Sequence, residues 1–204
     1  MFDITADFDK LERILSDVAR KQLPFAMMMA INDTGADVKR AEERQLDRKF
    51  DRPTPFTKRG VYLRRANKSG LTAIVGFKRV QASYLGLQVT GGVRRPKRKA
   101  LVIGAGLRRN KYGNLAKGAV KRAESKGQTF VAKRRGGGSH LRPGLYQRGK
   151  GRGGSGKLKM LVTFEPRAKY EKRFPFHQTA ERTARAAFEG HLVRRIKEAV
   201  KSAK

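Results

Sequence analysis

Residues 61–78 read VYLRRANKSGLTAIVGFK, and this stretch decides the fold class. Val61 and Leu63 form one short apolar run, Leu71, Ala73, Val75 and Phe77 a second, and Asn67-Lys68-Ser69-Gly70 stands between them. A period of two turns one face of each run toward a core, and a Gly-bearing polar break between two such runs marks a β-hairpin. Toward the two ends of the chain the period changes to that of a helix.

Upstream, residues 7–22 (DFDKLERILSDVARKQ) place Phe8, Leu11, Leu15 and Val18 at helical spacing, with Ile14 beside them. Asp7 is a suitable N-cap, and Asp9 and Glu12 suit the positive end of the helix dipole. Pro24 is expected to open a second helical segment, where its missing N–H costs little. Over residues 25–50 the apolar positions are Met28, Ile31, Val38, Ala41, Leu46 and Phe50. Met27, Met28 and Met29 read as core filler, because unbranched methionine fits irregular gaps. Gly35, amid Asn32, Asp33 and Thr34, reads as a kink or a point of close packing. Asp37, Glu42, Glu43 and Asp47 read as the solvated face. DRPTPFT (51–57) ends the helix, because Pro53 and Pro55 push their predecessors toward extended geometry.

Downstream, strands are expected at 100–103, 129–132 and 159–164, the last within KMLVTF. Residues 176–203 form the final helix, with Ala180, Ala184, Phe188, Leu192, Ile196 and Val200 largely at i, i+4 spacing. Helices at both ends with antiparallel strands between them predict an α+β fold, an antiparallel sheet packed against N-terminal and C-terminal helices. The expected organisation is one domain over 1–204, with a basic, loop-rich excursion at about 91–157.

The charge places that excursion. Lysine and arginine number 49 against 17 acids, a formal net charge of +32. Residues 91–159 hold 21 of the basic residues, the single acid Glu124 and 16 of the 22 glycines. Glycine loses the most backbone entropy on ordering and like charges repel, so this stretch reads as long loops between core elements. Its internal position sets it apart from a basic tail. There is no cysteine, which excludes disulfides, thiolate nucleophiles and cysteine-ligated zinc. No run of about 18 apolar residues occurs, so no membrane partner is expected. The acidic opening MFDITADFDKLE does not read as a secretory signal.

Motifs that would carry catalysis are weak. GKGRGGSGK (149–157) imitates a phosphate-binding loop, but Leu158 stands where that loop needs Ser or Thr, and a strand pattern follows. LVIGAG (101–106) resembles the start of a dinucleotide fingerprint, with Arg109 at the third glycine position. His177 and His191 lie 14 apart on one predicted helix and His140 lies in a loop, so they read as structural or solvated. No catalytic residue, metal or cofactor is expected. The strong signal is the basic clusters RRPKRK (94–99), RRNK (108–111), KR (121–122), KRR (133–135) and RGKGRGGSGK (148–157). Such clusters neutralise phosphates and release counterions without reading sequence. The nearby aromatics Tyr84, Tyr112, Phe130 and Tyr146 are too few for a base-stacking platform.

Taken in order, DRPTPFT, VYLRRANKSGLTAIVGFK, YLGLQVTGGVRRPKRKA, RPGLYQRG, KMLVTF and KYEKRFPFHQTAERTARAAF resemble the minor tail protein Z and tail-completion, or neck, proteins of long-tailed bacteriophages and prophages. The resemblance spans about Leu23 to Ala199. It implies a virion structural protein, assembled in the host cytoplasm, that forms a homo-oligomeric ring of six copies at the head–tail junction. Its implied neighbours are the tail tube or tail terminator, the head connector, and double-stranded DNA in the lumen. Arg94, Arg95, Lys97, Arg98, Lys99, Arg108, Arg109, Arg134 and Arg135 are then the residues expected to face the lumen or DNA. Phe56, Tyr146, Phe174 and Phe176, apolar groups near element ends, are expected at subunit or tube contacts. The competing reading from charge and glycine alone is an RNA-binding or ribosomal-type basic protein.

Overall fold

A computed structural model describes residues 1–4, 17–132, 140–149 and 156–202. In chain order, the first elements are β1 (Phe2–Ile4), α1 (Asp17–Lys49), α2 (Pro55–Lys58), β2 (Val61–Arg64), β3 (Ala73–Phe77) and α3 (Arg79–Thr90). Then follow β4 (Gly92–Arg94), β5 (Leu101–Gly104), α4 (Ala119–Glu124), β6 (Thr129–Ala132) and β7 (Gly144–Gln147). The last are β8 (Lys159–Glu165), β9 (Ala168–Tyr170) and α5 (Phe176–Ser202). The fold is α+β, and the chain divides into two compact units, Met1–Thr90 with Lys172–Lys204, and Gly91–Glu171.

The first unit is built on the expected hairpin. β2 and β3 pair antiparallel from Val61↔Phe77 to Arg64↔Ile74, and β1 adds to the other edge of β3 through Phe2↔Val75. In the turn, Gly70 N–H donates to the Asn67 carbonyl at 3.3 Å and the Ser69 hydroxyl to Asn67 Oδ1 at 3.0 Å. Behind the sheet lie α1 and α5, which run antiparallel: Asp33 meets Arg195, Asp37 meets His191, and Gln45 meets Thr179. Ile31, Val38 and Leu46 of α1, Val61, Ala73 and Val75 of the sheet, and Ala180 and Ala184 of α5 share one buried core. Phe77 sits 5.7 Å from Phe174 and 5.0 Å from Phe176 between ring centres, which closes that core with aromatic packing.

α1 departs from expectation at Pro24, which lies inside one helix instead of opening a second. A proline there removes one hydrogen bond and crowds the preceding turn. The neighbouring Leu23, Ala26, Met27 and Ala30 are all buried, and that burial holds the helix through the break. The helix predicted over 7–22 lies largely outside the described residues. Gly35 serves close packing: a Cβ there would meet Leu63 Cδ1 at 2.8 Å. Asn32 ties the same helix to the hairpin, donating to the Ala66 carbonyl at 3.1 Å and accepting from the Ala66 N–H at 2.8 Å. Glu42 was expected on the solvated face and is instead fully buried. It sits one turn from Val38 and Leu46, on the stripe facing α5.

α3 was not anticipated. Its sequence RVQASYLGLQVT has no capping signature and holds β-branched residues and a glycine, so intrinsic propensity is poor. Buried Gln81 and Leu85 hold it through tertiary contact, with Gln81 Nε2 donating to the Phe56 carbonyl at 3.0 Å. On α5, a strict i, i+4 series drifts about 40° per step around a 3.6-residue helix. By the last turn the drift is visible: Val200 is 38% exposed and Ala199 takes the buried place at 6%.

The basic excursion, expected as loops, forms the second unit with a sheet of its own. Strands β5-β8-β7-β6 pair antiparallel in that order, and β4 pairs with β9 as a separate ribbon. The expected strands fall on β5, β6 and β8; β7, from Gly144–Gln147, was missed and completes the sheet. Leu145, Leu161 and Val162 pack with Ala123 of α4, flanked by Leu107, Val120 and Phe164. A handful of apolar side chains is enough here because the strands are short and the lysines and arginines among the described residues of this unit are all exposed. Among the described residues, no helix is long and apolar enough to cross a membrane.

Candidate nucleic-acid interface

The second unit, residues 91–171, holds 23 lysines and arginines against three acids, Glu124, Glu165 and Glu171. Such an imbalance on a small unit raises a positive potential around it and draws in polyanions. Glu165 is already engaged, accepting from the Thr163 hydroxyl at 2.8 Å and pairing with Arg142 at 3.5 Å.

Arg94 ends β4, across the ribbon from Ala168, and Arg95, Lys97, Arg98 and Lys99 follow in the segment leading to β5; all five are exposed. Arg108 and Arg109 lie in a turn after β5, also exposed. This turn is tightly built. Asn110 Oδ1 accepts from the N–H groups of Tyr112 and Asn114 at 3.0 Å each, Asn110 N–H donates to the Asn114 carbonyl at 2.8 Å, and Arg109 bridges Leu115. An asparagine that satisfies two downstream amides fixes a turn locally. Arg134 and Arg135 lie outside the described residues, as does most of the glycine tract from 150 to 155.

The turn faces α4 across a cavity of about 520 Å³. Arg108, Arg109, Arg122 and Lys126 stand around it, over a floor that includes Leu107 and Ala123. Arg109 Nη2 donates to the Gly104 carbonyl at 2.8 Å, and Arg122 Nη1 to the Lys117 carbonyl at 2.9 Å. Each guanidinium spends one of its five donors on that tether and keeps the rest. Gly118, at φ +74°, makes room: a Cβ there would meet Arg122 Nη1 at 3.1 Å. Sequence clusters could not unite Arg108 and Arg109 with Arg122 and Lys126, which are far along the chain. The usable signal was the helical spacing of Ala119, Arg122 and Ala123 on α4, with Lys126 two residues past its end.

The four aromatics expected at contacts differ in exposure. Phe174 and Phe176 are each 2% exposed and Tyr146 is 6%, so these three serve the chain's own interior, and only Phe56 stands out, at 56%. Tyr146 stacks on Phe130 at 5.8 Å between centres and donates its hydroxyl to the Arg142 carbonyl at 3.0 Å. Arg148 lies 5.1 Å over the centre of the Phe130 ring, a cation–π contact that fixes one more charge at the surface.

In the first unit the polar chemistry joins α1 to α5. Arg195 Nε and Arg194 Nη2 donate to Asp33 Oδ2 at 2.7 and 2.9 Å. Partial burial alone would raise the Asp33 carboxyl, but these hydrogen bonds outweigh it and hold the group below its usual range. The same balance, with His191 and Arg40 as donors, lowers Asp37. Glu42 has no such partner: both of its oxygens lack a hydrogen bond, and burial pushes its carboxyl up to about 8. Among the described residues, no three histidine or carboxylate side chains come together as a metal site. Compared with models of known protein families, with curated proteins and with solved structures, the chain finds no match.

Proposed function

We propose that this protein is a virion structural component that completes the tail or neck of a long-tailed bacteriophage. Several copies, six in the arrangement the sequence resemblance implies, form a ring at the head–tail junction through which DNA passes. The observation that carries this reading is the segregation of charge: 23 cations against three acids on residues 91–171, with Arg94, Arg95, Lys97, Arg98 and Lys99 all exposed. A ring gathers such surfaces around one polyanion, which offsets the repulsion that a lone subunit bears. The cations act by releasing counterions from phosphates and need no particular base sequence.

Two measurements test it. Native mass spectrometry or analytical ultracentrifugation reads the assembly state, and labelling of the chain in intact particles reads its position. A closed ring and signal at the head–tail junction support the proposal; a monomer absent from particles overturns it. DNA affinity is expected to fall about a thousandfold between 50 and 200 mM salt if about six phosphates are contacted. A monomer that binds RNA far more tightly than duplex DNA would favour the ribosomal-type reading instead.

A further inference from the structure

We propose that the cavity between the 107–116 turn and α4 is the seat where this protein grips a nucleic-acid backbone, with neighbouring phosphates held by Arg108, Arg109, Arg122 and Lys126. The inference rests on the reading that the second unit meets DNA, and goes further by naming one groove within a broadly cationic surface.

Three observations single it out. Four cations converge here on one concavity of about 520 Å³. Two of the four are held in place before any ligand arrives, Arg109 by the Gly104 carbonyl and Arg122 by the Lys117 carbonyl. A tethered guanidinium loses less rotamer freedom on binding and offers its remaining donors in a fixed fork, which suits phosphate oxygens. The floor of Leu107 and Ala123 is apolar and small, a fit for sugar carbons lying between two phosphates. No base edge is read by this arrangement, so the groove takes backbone of any sequence.

The test uses the full chain and a short fluorescein-labelled DNA duplex of mixed sequence, with binding followed by anisotropy across a salt series. The triple variant Arg108→Gln, Arg122→Gln, Lys126→Gln removes three exposed charges from the groove. A control of equal charge, Arg64→Gln, Arg65→Gln, Lys68→Gln, removes three from the end of β2 and the connection that follows it in the first unit. The groove variant is expected to lose about tenfold or more in affinity and to lower the salt slope by roughly two to three, while the control stays within about twofold. Gly118→Ala, which keeps every charge but crowds Arg122, is expected to weaken binding about threefold. Circular dichroism confirms that each variant is folded. Equal losses in the groove variant and the control overturn the groove and leave the DNA reading standing. Absence of duplex binding by the unaltered chain at 50 mM salt overturns both.

Discussion

His191 of α5 and Asp37 of α1 meet at 2.7 Å, Nε2 to Oδ2. The other ring nitrogen, Nδ1, lies 3.0 Å from Arg194 Nη2, and arginine can only donate. Nδ1 therefore accepts, and the hydrogen toward Asp37 sits on Nε2. Arg194 in turn reaches Asp33, so one run of hydrogen bonds joins the two long helices along their shared seam.

His191→Ala is expected to cost about 1–2 kcal/mol, the loss of one partly buried hydrogen bond to a charged acceptor. Urea denaturation of this variant, Asp37→Ala and the double variant forms a cycle. A coupling of about 0.5 kcal/mol or more is expected if the pair acts as a unit, and strict additivity counts against it.

Asp33 and Asp37 both have carboxyls held below the ordinary value in the folded chain. A lowered folded value means the stabilisation is complete above the unfolded value near 3.8 and is lost as pH falls through the folded one. Asp33→Asn should therefore be destabilising by about 1–2 kcal/mol at neutral pH, and indistinguishable from the unaltered chain in strong acid. Denaturation midpoints at pH 7 and pH 2 provide the comparison.

Glu42 acts in the opposite sense. Its carboxyl moves from 4.5 to about 8 on folding, so between those values the folded state keeps a proton that the unfolded state has released. Stability then falls as pH rises from about 4.5 to 8, by at most about 5 kcal/mol for a shift of this size. Glu42→Gln should flatten that dependence and raise stability at pH 8 on the order of 2–4 kcal/mol, since the amide stays neutral but is still unsatisfied. Unfolding free energies measured from pH 5 to pH 8.5 decide the matter, and a slope unaltered by the substitution contradicts it.

Leu145→Ala probes the independence of the basic unit. Leu145 is 1% exposed within a core of few residues, so truncation should cost about 2–5 kcal/mol. Hydrogen exchange is the suitable readout: protection is expected to fall in β5, β6, β7 and β8 and to hold in α1 and α5. A loss spread evenly over the chain would show one cooperative unit.

Much of this architecture was legible one residue at a time. The hairpin was readable because alternation and a Gly-bearing turn are local and agree with each other. α5 was readable because its apolar positions persist over many turns; only the drift that exchanges Val200 for Ala199 escaped. α3 and β7 were missed for a shared reason. RVQASYLGLQVT and GLYQ have little intrinsic preference, and they take shape because Leu85 and Leu145 find buried partners supplied by distant parts of the chain. Of the candidate site, the exposure of Arg94 to Lys99 followed from charge alone. The grouping of Arg108 with Lys126 did not, and neither did the burial of Phe174 and Phe176, which read as contact groups near element ends.

The sequence by itself determined that the chain mixes helices with antiparallel strands and that its excess charge lies in the interior of the chain, since period and composition are local properties. Tertiary structure alone decided that the cationic stretch folds as a unit with its own sheet, that Glu42 lies in a seam without a partner, and that four cations surround one cavity. The physical reason is that burial and convergence depend on which distant segments meet, and short strands or single side chains carry no mark of the partner that will cover them.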